Sequence, residues 1–208
     1  MKRLPAAIAA IFAVSLAACG SGMTGAAAPS SAGAQTTSAA IDLAAGLDAA
    51  DAGAAAYCRS TNGQVEVRHA VYGSNGTSLL FLAGVRSFCQ YTSKSDGSRI
   101  HILLSTLYTT KPTLAALAYY LKPPPGSHCN GNPASCYCSQ LGASDQFGGT
   151  YGAGGGWYKK KSIDQTLEAC IFPDESSIDS WGLAYHANGI IRGIDLTTVM
   201  RYKYPSAH

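Results

Sequence analysis

Hydrophobic and polar residues alternate along several short segments of the chain, a pattern typical of half-buried strands. Polarity alternates from Gln64 to His69, and the segments from Ser78 to Val85 and from Phe88 to Tyr91 are rich in strand-forming residues. Turn-forming residues occur at Asp96-Gly97 and again at Pro173-Asp174. The pattern therefore predicts short antiparallel strands separated by turns.

Other segments carry helix start and stop signals. Asn132 is a favourable N-cap, Pro133 suits the first helical position and Gly142 suits the C-terminal stop, so a short helix is predicted over residues 133–141. Asp51 and Asn62-Gly63 delimit an earlier helix in the same way. Two more short helices are predicted over residues 114–121 and 180–186. Together with the strands, these helices indicate an α+β fold.

The same landmarks occur twice, in the same order. A Tyr-Cys pair is followed by a second cysteine, then by Asp-x-Ser-x-Ile and finally by Leu-Ala-Tyr. These landmarks begin at Tyr57 and Tyr137, Cys89 and Cys170, Asp96 and Asp174, and Leu117 and Leu183. We interpret them as a duplicated unit made of a helix, two or three antiparallel strands and a helix.

The duplication sets the predicted domain boundaries. The first repeat unit covers residues 54–127 and carries an insertion around residues 103–112, and the second covers residues 128–208. The second unit ends in an extension from Ile190 to Met200 that is rich in apolar, strand-forming residues. These side chains are too apolar to be left in water, so an additional strand is predicted there.

The first 18 residues differ in character from the rest of the chain. Lys2 and Arg3 precede a short apolar run, which ends in Leu16-Ala17-Ala18-Cys19. This order resembles the signal peptide of a bacterial lipoprotein, which is cleaved before a cysteine whose thiol takes a diacylglyceryl group. The resemblance implies a lipid anchor on Cys19 at the cell envelope, and Gly20 after it implies sorting to the outer membrane. The alternative is an ordinary secretory peptide with a chance cysteine.

A low-complexity segment follows Cys19. Residues 20–40 are almost entirely Gly, Ala, Ser and Thr, a composition that buries too little apolar surface to offset its backbone entropy. For residues Ile41 to Asp51 there are two alternatives: one or two helical turns, or a continuation of the same spacer. Residues 19–53 are therefore predicted to be a lipidated, flexible tether.

Charge narrows the choice of partner. Cleavage of residues 1–18 removes Lys2 and Arg3, which leaves 13 of the 15 basic residues against 12 acidic ones. A nearly neutral chain does not indicate nucleic acid as a partner. No later apolar run reaches the roughly 20 residues that cross a bilayer, so the lipid is the predicted membrane attachment.

The chain has seven cysteines, and assigning Cys19 to lipid leaves six. An even number in an oxidising compartment indicates three disulfides, for which 15 pairings exist. Duplication favours Cys58 with Cys89 and Cys138 with Cys170, because each pair joins equivalent positions. Cys129 and Cys136 are then left to close a small loop.

The second copy also resembles a known bacterial family. Its residues 132–138 read Asn-Pro-Ala-Ser-Cys-Tyr-Cys, residues 170–174 read Cys-Ile-Phe-Pro-Asp, and residues 178–183 read Ile-Asp-Ser-Trp-Gly-Leu. These motifs resemble the domain-of-unknown-function family numbered 333, small envelope lipoproteins often labelled hemolysins. Glu175 stands where that family has glycine, and the first copy lacks the Asn-Pro and the Trp. The resemblance implies an envelope lipoprotein and no particular reaction; without a long amphipathic segment, the hemolysin label has little weight here.

Catalytic and metal-binding patterns in the sequence are weak. His128, Cys129, Cys136 and Cys138 could be written as a zinc cluster, but they lack a Cys-x-x-Cys pair and the compartment favours disulfides. A Cys-His nucleophile needs an unpaired cysteine, and the pairing scheme leaves none. The sequence has no Gly-x-Ser-x-Gly elbow or His-Glu-x-x-His helix. We therefore predict no cofactor, no metal and no catalytic site.

Trp157-Tyr158-Lys159-Lys160-Lys161 is the candidate binding surface. Aromatic rings beside three ammonium groups suit an acidic lipid, an anionic polymer or an acidic loop of an envelope protein, although a lysine run is also typical of a plain solvated turn. The sequence thus predicts a lipid-anchored, non-catalytic binding or structural protein of the bacterial envelope. The alternative is an inhibitor or immunity protein against an envelope enzyme or toxin, and a hydrolase ranks below both.

Overall fold

The computed structural model describes residues 49–73, 79–126, 129, 131–145, 154–162 and 164–205. Cys19, the predicted signal peptide and almost all of the predicted tether lie outside these residues. The described elements are, in chain order, α1 (Ala49–Ser60), β1 (Gln64–Tyr72), β2 (Leu80–Thr92), β3 (Arg99–Leu103), α2 (Leu104–Tyr108), α3 (Leu114–Leu121), α4 (Pro133–Gln140), β4 (Gly155–Tyr158), β5 (Thr166–Leu167), β6 (Ala169–Ile171), β7 (Ser177–Asp179), α5 (Ser180–Ala187) and α6 (Leu196–Val199).

All seven strands belong to one antiparallel sheet, in the order β5-β4-β1-β2-β3-β7-β6. The two outermost strands, β5 and β6, are separated in the chain by a single residue, Glu168. The sheet is therefore nearly closed, and the strands of both predicted repeat units contribute to it.

The helices cover one face of the sheet, which we call the outer face. Cys89, Ile100, Ile102 and Ile178 point to this face and pack against the helices in the larger apolar core. Alternate residues point to the opposite, inner face, because side chains alternate along a strand. A smaller apolar cluster lies there, made of Ala70, Phe88, Leu103, Trp157, Leu167 and Ala169.

Three disulfides reinforce this arrangement. Cys58 in α1 bonds to Cys89 in β2, Cys138 in α4 bonds to Cys170 in β6, and Cys129 bonds to Cys136. These are the pairs that the repeated landmarks predict. The first two bonds each join a helix to the sheet, across 31 and 32 residues of chain.

The described helices begin and end close to the residues that the sequence predicts. The Asn132 side chain accepts hydrogen bonds from the backbone nitrogens of Ala134 and Ser135, and Pro133 occupies the first turn of α4. Gly142 takes a φ of 79°, the left-handed conformation that suits glycine just after a helix. Helices α3 and α5 coincide closely with the predicted ranges 114–121 and 180–186. The mixed helix-and-sheet class is confirmed.

Two predicted elements are wrong. Residues 80–85 and 88–91 of the two predicted segments are not separate strands but parts of the single strand β2, and Ser78 lies outside the described residues. The C-terminal extension adds no strand among the described residues: Ile190 and Ile191 are 51% and 49% exposed, and residues 196–199 form the helical turn α6. The Asp195 side chain caps that turn at the backbone nitrogen of Thr197, 3.0 Å away, which favours helix over strand.

None of the helices in the described residues is long and apolar enough to cross a membrane.

Candidate functional site

Four charged or titratable side chains meet on the inner face of the sheet. Glu66 and Arg68 come from β1, His101 from β3 and Asp179 from the end of β7, and none is more than 4% exposed. Strand alternation places Glu66 and Arg68 on one face, and the pairing of β3 with β7 brings His101 beside Asp179. The backbone nitrogen of His101 donates a 2.8 Å hydrogen bond to Asp179 Oδ2. We call these four residues the inner network.

Arg68 is bonded on every side. Its Nε and Nη2 donate to Glu66 Oε2 at 2.9 and 2.6 Å. Its Nη1 donates to the backbone carbonyls of Trp157 and Asp164 at 3.0 and 2.7 Å. Lys159, just after β4, donates from Nζ to the other carboxylate oxygen, Glu66 Oε1, at 2.7 Å. The Glu66 carboxylate therefore lies between two cations, as a buried charge must to be stable.

These contacts set the protonation of the inner network. Burial alone would raise the pKa of Glu66, but hydrogen bonds from His101, Lys159 and Arg68 hold it well below its usual range. Burial alone would lower the pKa of His101, but Asp179 and Glu66 stabilise the imidazolium and the net effect raises its pKa. The ring nitrogens of His101 lie 3.4 Å from Glu66 Oε2 and 3.7 Å from Asp179 Oδ2. Both ring nitrogens thus lie beside carboxylates, and Nε2 also lies 3.4 Å from Arg68 Nη2.

A cleft of about 230 Å³ opens from the inner network to solvent. The buried His101 and Asp179 line it, as does the half-buried Trp181. The remaining lining residues are Arg99, Asp164, Thr166, Leu167, Glu168 and Arg192. A second depression of about 540 Å³ shares Trp181, Asp164 and Arg192 with the first, so both open around the same indole. We call the combined surface the Trp181 cleft.

The local sequence of α5 explains the position of Trp181. The Asp179 side chain caps the helix by accepting a hydrogen bond from the backbone nitrogen of Gly182. A side chain at Gly182 would lie 2.6 Å from Ile100, so glycine lets the helix approach β3 closely. Trp181 is the second residue after the cap, and its half-buried indole lines the cleft beside Tyr185, with ring centroids 5.8 Å apart.

Two arginines line the cleft with the indole, one paired with a carboxylate and one without an ion pair to the described residues. Arg99 forms a bidentate pair with Asp164, with distances of 2.5 and 3.0 Å, and this pairing holds the pKa of Asp164 below its usual range. Arg192 lies 5.3 Å above the ring of Tyr185 and has no ion pair with the described residues. The cleft thus combines an aromatic surface with a half-exposed arginine that forms no ion pair with the described residues, and the carboxylates of Asp164, Glu168 and Asp179 line the same cleft.

The predicted binding surface is divided between two environments. Trp157 is 4% exposed and packs inside the sheet, 6.1 Å from Phe88 between ring centroids. Tyr158 is half-buried, and Lys159 is held by Glu66. Lys160 and Lys161 are exposed. Only the last two residues of the stretch therefore present fully solvated charge.

The other predicted sites are placed as follows. Cys19 lies outside the described residues, as does His128 of the possible zinc cluster. The three cysteines considered with His128 are all in disulfides. In the described part of the chain, no group of three His, Cys, Asp or Glu side chains is placed to hold a metal ion.

Sequence reasoning missed the inner network and Trp181. A signal for β1 was present, because Glu66 and Arg68 occupy alternate positions in a segment whose polarity alternates. His101 and Asp179 each follow the isoleucine of Asp-x-Ser-x-Ile, so the repeat gives them equivalent positions. Nothing local shows that these side chains meet, because the meeting depends on strand pairing between distant residues.

No family model matches the chain, and neither the curated proteins nor the solved structures contain a significant match to it.

Proposed function

We propose that this protein is a lipid-anchored protein of the bacterial cell envelope that binds a ligand at the Trp181 cleft without transforming it. Cys19 carries the lipid, residues 20–48 form the tether that ends where α1 begins, and the family resemblance in the second copy supports the same placement. The Trp181 cleft, in which a half-buried indole lies beside Arg192, a cation without an ion pair to the described residues, is the observation that carries the binding role.

The geometry of the inner network favours binding over catalysis. Perturbed titratable groups beside a cleft are the usual mark of an active site. Here, however, His101 is directed at Glu66 and Asp179, and Glu66 is engaged by Arg68 and Lys159. Groups bonded to one another in this way form a rigid floor for the cleft. This arrangement supports a fixed binding surface.

The chemistry of the cleft suits an acidic polysaccharide. An indole presents a flat apolar face on which a sugar ring can stack. Arg192 supplies a positive charge beside Trp181, and the Arg99–Asp164 pair offers donors and acceptors side by side for hydroxyl groups. A polymer also suits a site that is open along two connected depressions. We therefore propose a glycan strand that carries carboxylate groups as the ligand.

We also propose that the chain arose by duplication of one unit. In support, residues 49–121 and 133–187 each contain a helix, antiparallel strands and a closing helical segment. In each half, a cysteine of the first helix bonds to a strand. The pairing of Ile102 with Ile178 joins the last strands of the two halves.

The binding proposal is tested with polygalacturonate as the acidic glycan and dextran as the neutral one, by titration calorimetry on the purified chain. We expect polygalacturonate to bind, more weakly as salt rises, and dextran to bind at least tenfold more weakly. Trp181→Ala should weaken binding about tenfold or more, and Arg192→Gln should reduce the salt dependence. Both residues lie at the surface of the cleft, so the thermal midpoint should change little.

Lys160→Ala with Lys161→Ala is the matched control, because it removes exposed charge elsewhere. Equal binding by Trp181→Ala and the unchanged protein would exclude the cleft, and a loss confined to the lysine variant would assign binding to the lysine stretch instead. Stoichiometric protection of an envelope enzyme or toxin, without glycan binding, would favour the inhibitor alternative.

Mass spectrometry of the mature N-terminus tests the lipid anchor separately. The mature chain should begin at lipidated Cys19, and a free Cys19 thiol or cleavage elsewhere would contradict the proposed anchor.

A further inference from the structure

Strand β2 is much longer than its neighbour β3. Its 13 residues run from Leu80 to Thr92, whereas β3 has five and pairs only with residues 88–92 of β2. On the other side, β1 pairs along β2 from Leu80 to Gln90. In the described part of the sheet, residues 80–86 therefore have a strand neighbour on one side only. We call residues 80–86 the open edge.

The open edge is apolar, and in the described part of the chain no strand covers its second side. Leu80 is 60% exposed, Phe81 58%, Leu82 36% and Val85 42%. Proteins normally guard such an edge with a lysine, a proline or an inward-pointing charge, because its free backbone groups can pair with another strand. The open edge has no charge or proline before Arg86. Arg86 itself donates to the backbone carbonyl of Glu175 at 3.1 Å and pairs with its carboxylate at 3.5 Å.

We propose that the open edge pairs antiparallel with the open edge of a second copy of this chain, forming a two-fold symmetric dimer. An uncharged, apolar strand is best matched by another uncharged, apolar strand, and residues 80–85 offer one. The two-fold axis lets the same residues supply both halves of the interface. Arg86 is already balanced by Glu175, so pairing need not bring two unbalanced charges together.

The surroundings leave room for this partner. A depression of about 650 Å³ adjoins the C-terminal end of the open edge, where Val85 and Arg86 line it together with Thr109 and Pro112. An incoming strand needs to lie only about 4.8 Å from β2. The seven residues that join β1 to β2 in sequence are Gly-Ser-Asn-Gly-Thr-Ser-Leu, with one apolar side chain among them, and this composition disfavours insertion of the hairpin into lipid.

The interface is small, so the dimer should be weak. Pairing over seven residues buries less than the roughly 1,200 Å² at which stable complexes begin. We expect reversible association in the micromolar range or weaker in solution. Two-dimensional confinement of lipid-anchored copies would strengthen it by raising their effective concentration.

Sedimentation velocity over a wide range of protein concentration tests the dimer, using the purified chain from residue 19 onward with Cys19→Ala so that neither the signal peptide nor the lipid is attached. We expect a concentration-dependent shift from monomer to dimer. Leu82→Lys and Val85→Lys each place a charge on the open edge and should raise the dimer dissociation constant at least tenfold. Ile191→Lys is the matched control, because Ile191 is 49% exposed and lies outside the open edge; it should leave the dissociation constant unchanged.

A cysteine scan over residues 82–84 tests the symmetry. The residue nearest the two-fold axis faces its own copy, so one of Leu82→Cys, Ala83→Cys and Gly84→Cys should form an intermolecular disulfide, whereas Ile191→Cys should not. Near-ultraviolet circular dichroism establishes that each variant is folded. A monomer at all concentrations, or a dimer that both lysine variants leave intact, would overturn the proposal. So would a chain that stays monomeric while its open edge captures an unrelated extended peptide.

Discussion

Two buried histidines, one on each face of the sheet, show how differently the two faces are built. His101 on the inner face and His186 in the outer core are both 2% exposed. His101 faces two carboxylates, and its pKa is raised. His186 stacks on Tyr119 with ring centroids 3.6 Å apart, has no ion pair with the described residues, and its pKa is lowered by burial and by the charge of Lys122.

Burial alone therefore does not decide the charge of a side chain in this protein. The outer face is stabilised by apolar contact with helices, and a buried base there is kept neutral. The inner face has a smaller apolar cluster, so ion pairs must balance the groups buried beside it. Substitutions on the two faces should therefore destabilise the protein for different reasons: unpaired buried charge on the inner face and lost apolar contact on the outer face.

The largest expected effect is loss of Glu66. Glu66→Ala leaves Arg68 and Lys159 without their shared carboxylate, and breaking a buried ion pair in this way costs about 3–5 kcal/mol of unfolding free energy. Urea unfolding measures this loss. The outer-face control is Ile178→Val, which should cost about 0.5–1.5 kcal/mol because it removes one methyl group from the core. Equal losses for the two variants would refute the proposed contrast between the faces.

Removal of a helix-to-sheet disulfide should come next. Replacing Cys58 and Cys89 by alanine should cost about 3–4 kcal/mol, because the bond closes a long loop. Replacing Cys138 and Cys170 should cost a similar amount, since the two loops differ by one residue. The small loop closed by Cys129 and Cys136 serves as the control, and its loss should cost about 2 kcal/mol. A large difference between the first two pairs would argue against equivalent roles in the two halves.

The smallest expected effect is on the pH dependence of stability. Because folding raises the pKa of His101, its contribution should be complete below pH 6.5 and lost as pH rises through the raised value. Because folding lowers the pKa of His186, its effect has the opposite sign, and stability should be lost as pH falls below 6.5. Each slope is limited to about 1.4 kcal/mol per pH unit for one proton.

Urea unfolding at a series of pH values separates these two contributions. His101→Gln should flatten the alkaline side of the stability profile, and His186→Gln should flatten the side just below pH 6.5. If His101→Gln instead flattened the acidic side and His186→Gln the alkaline side, the charge states assigned to the two histidines would be wrong.

The outer face could largely be predicted from the sequence, because its signals are local. Asn132 and Pro133 mark the start of α4, and the repeated Tyr-Cys and Asp-x-Ser-x-Ile landmarks give the disulfide partners. These signals act over one turn of helix or one strand. They would operate in the same way in many tertiary arrangements.

The inner face could not be predicted, because it depends on closure of the sheet. Alternation in β1 shows that Glu66 and Arg68 share a face, but a polar face of an antiparallel sheet normally meets water. Here β4 pairs with β1, which brings Trp157 opposite Ala70 and turns that face inward. The same pairing explains why Trp157, expected at a binding surface, packs with Phe88 instead.

The single residue between β5 and β6 has a consequence for how the chain can vary in length. Leu167 and Ala169 on either side of Glu168 are both buried on the inner face, and the Glu168 carbonyl accepts a 2.8 Å hydrogen bond from the backbone nitrogen of Ser180. Because strand faces alternate with a period of two, one inserted residue would turn one of these strands over. Insertions and deletions should therefore be tolerated elsewhere in the chain, and the connection between β5 and β6 should keep its length of one residue.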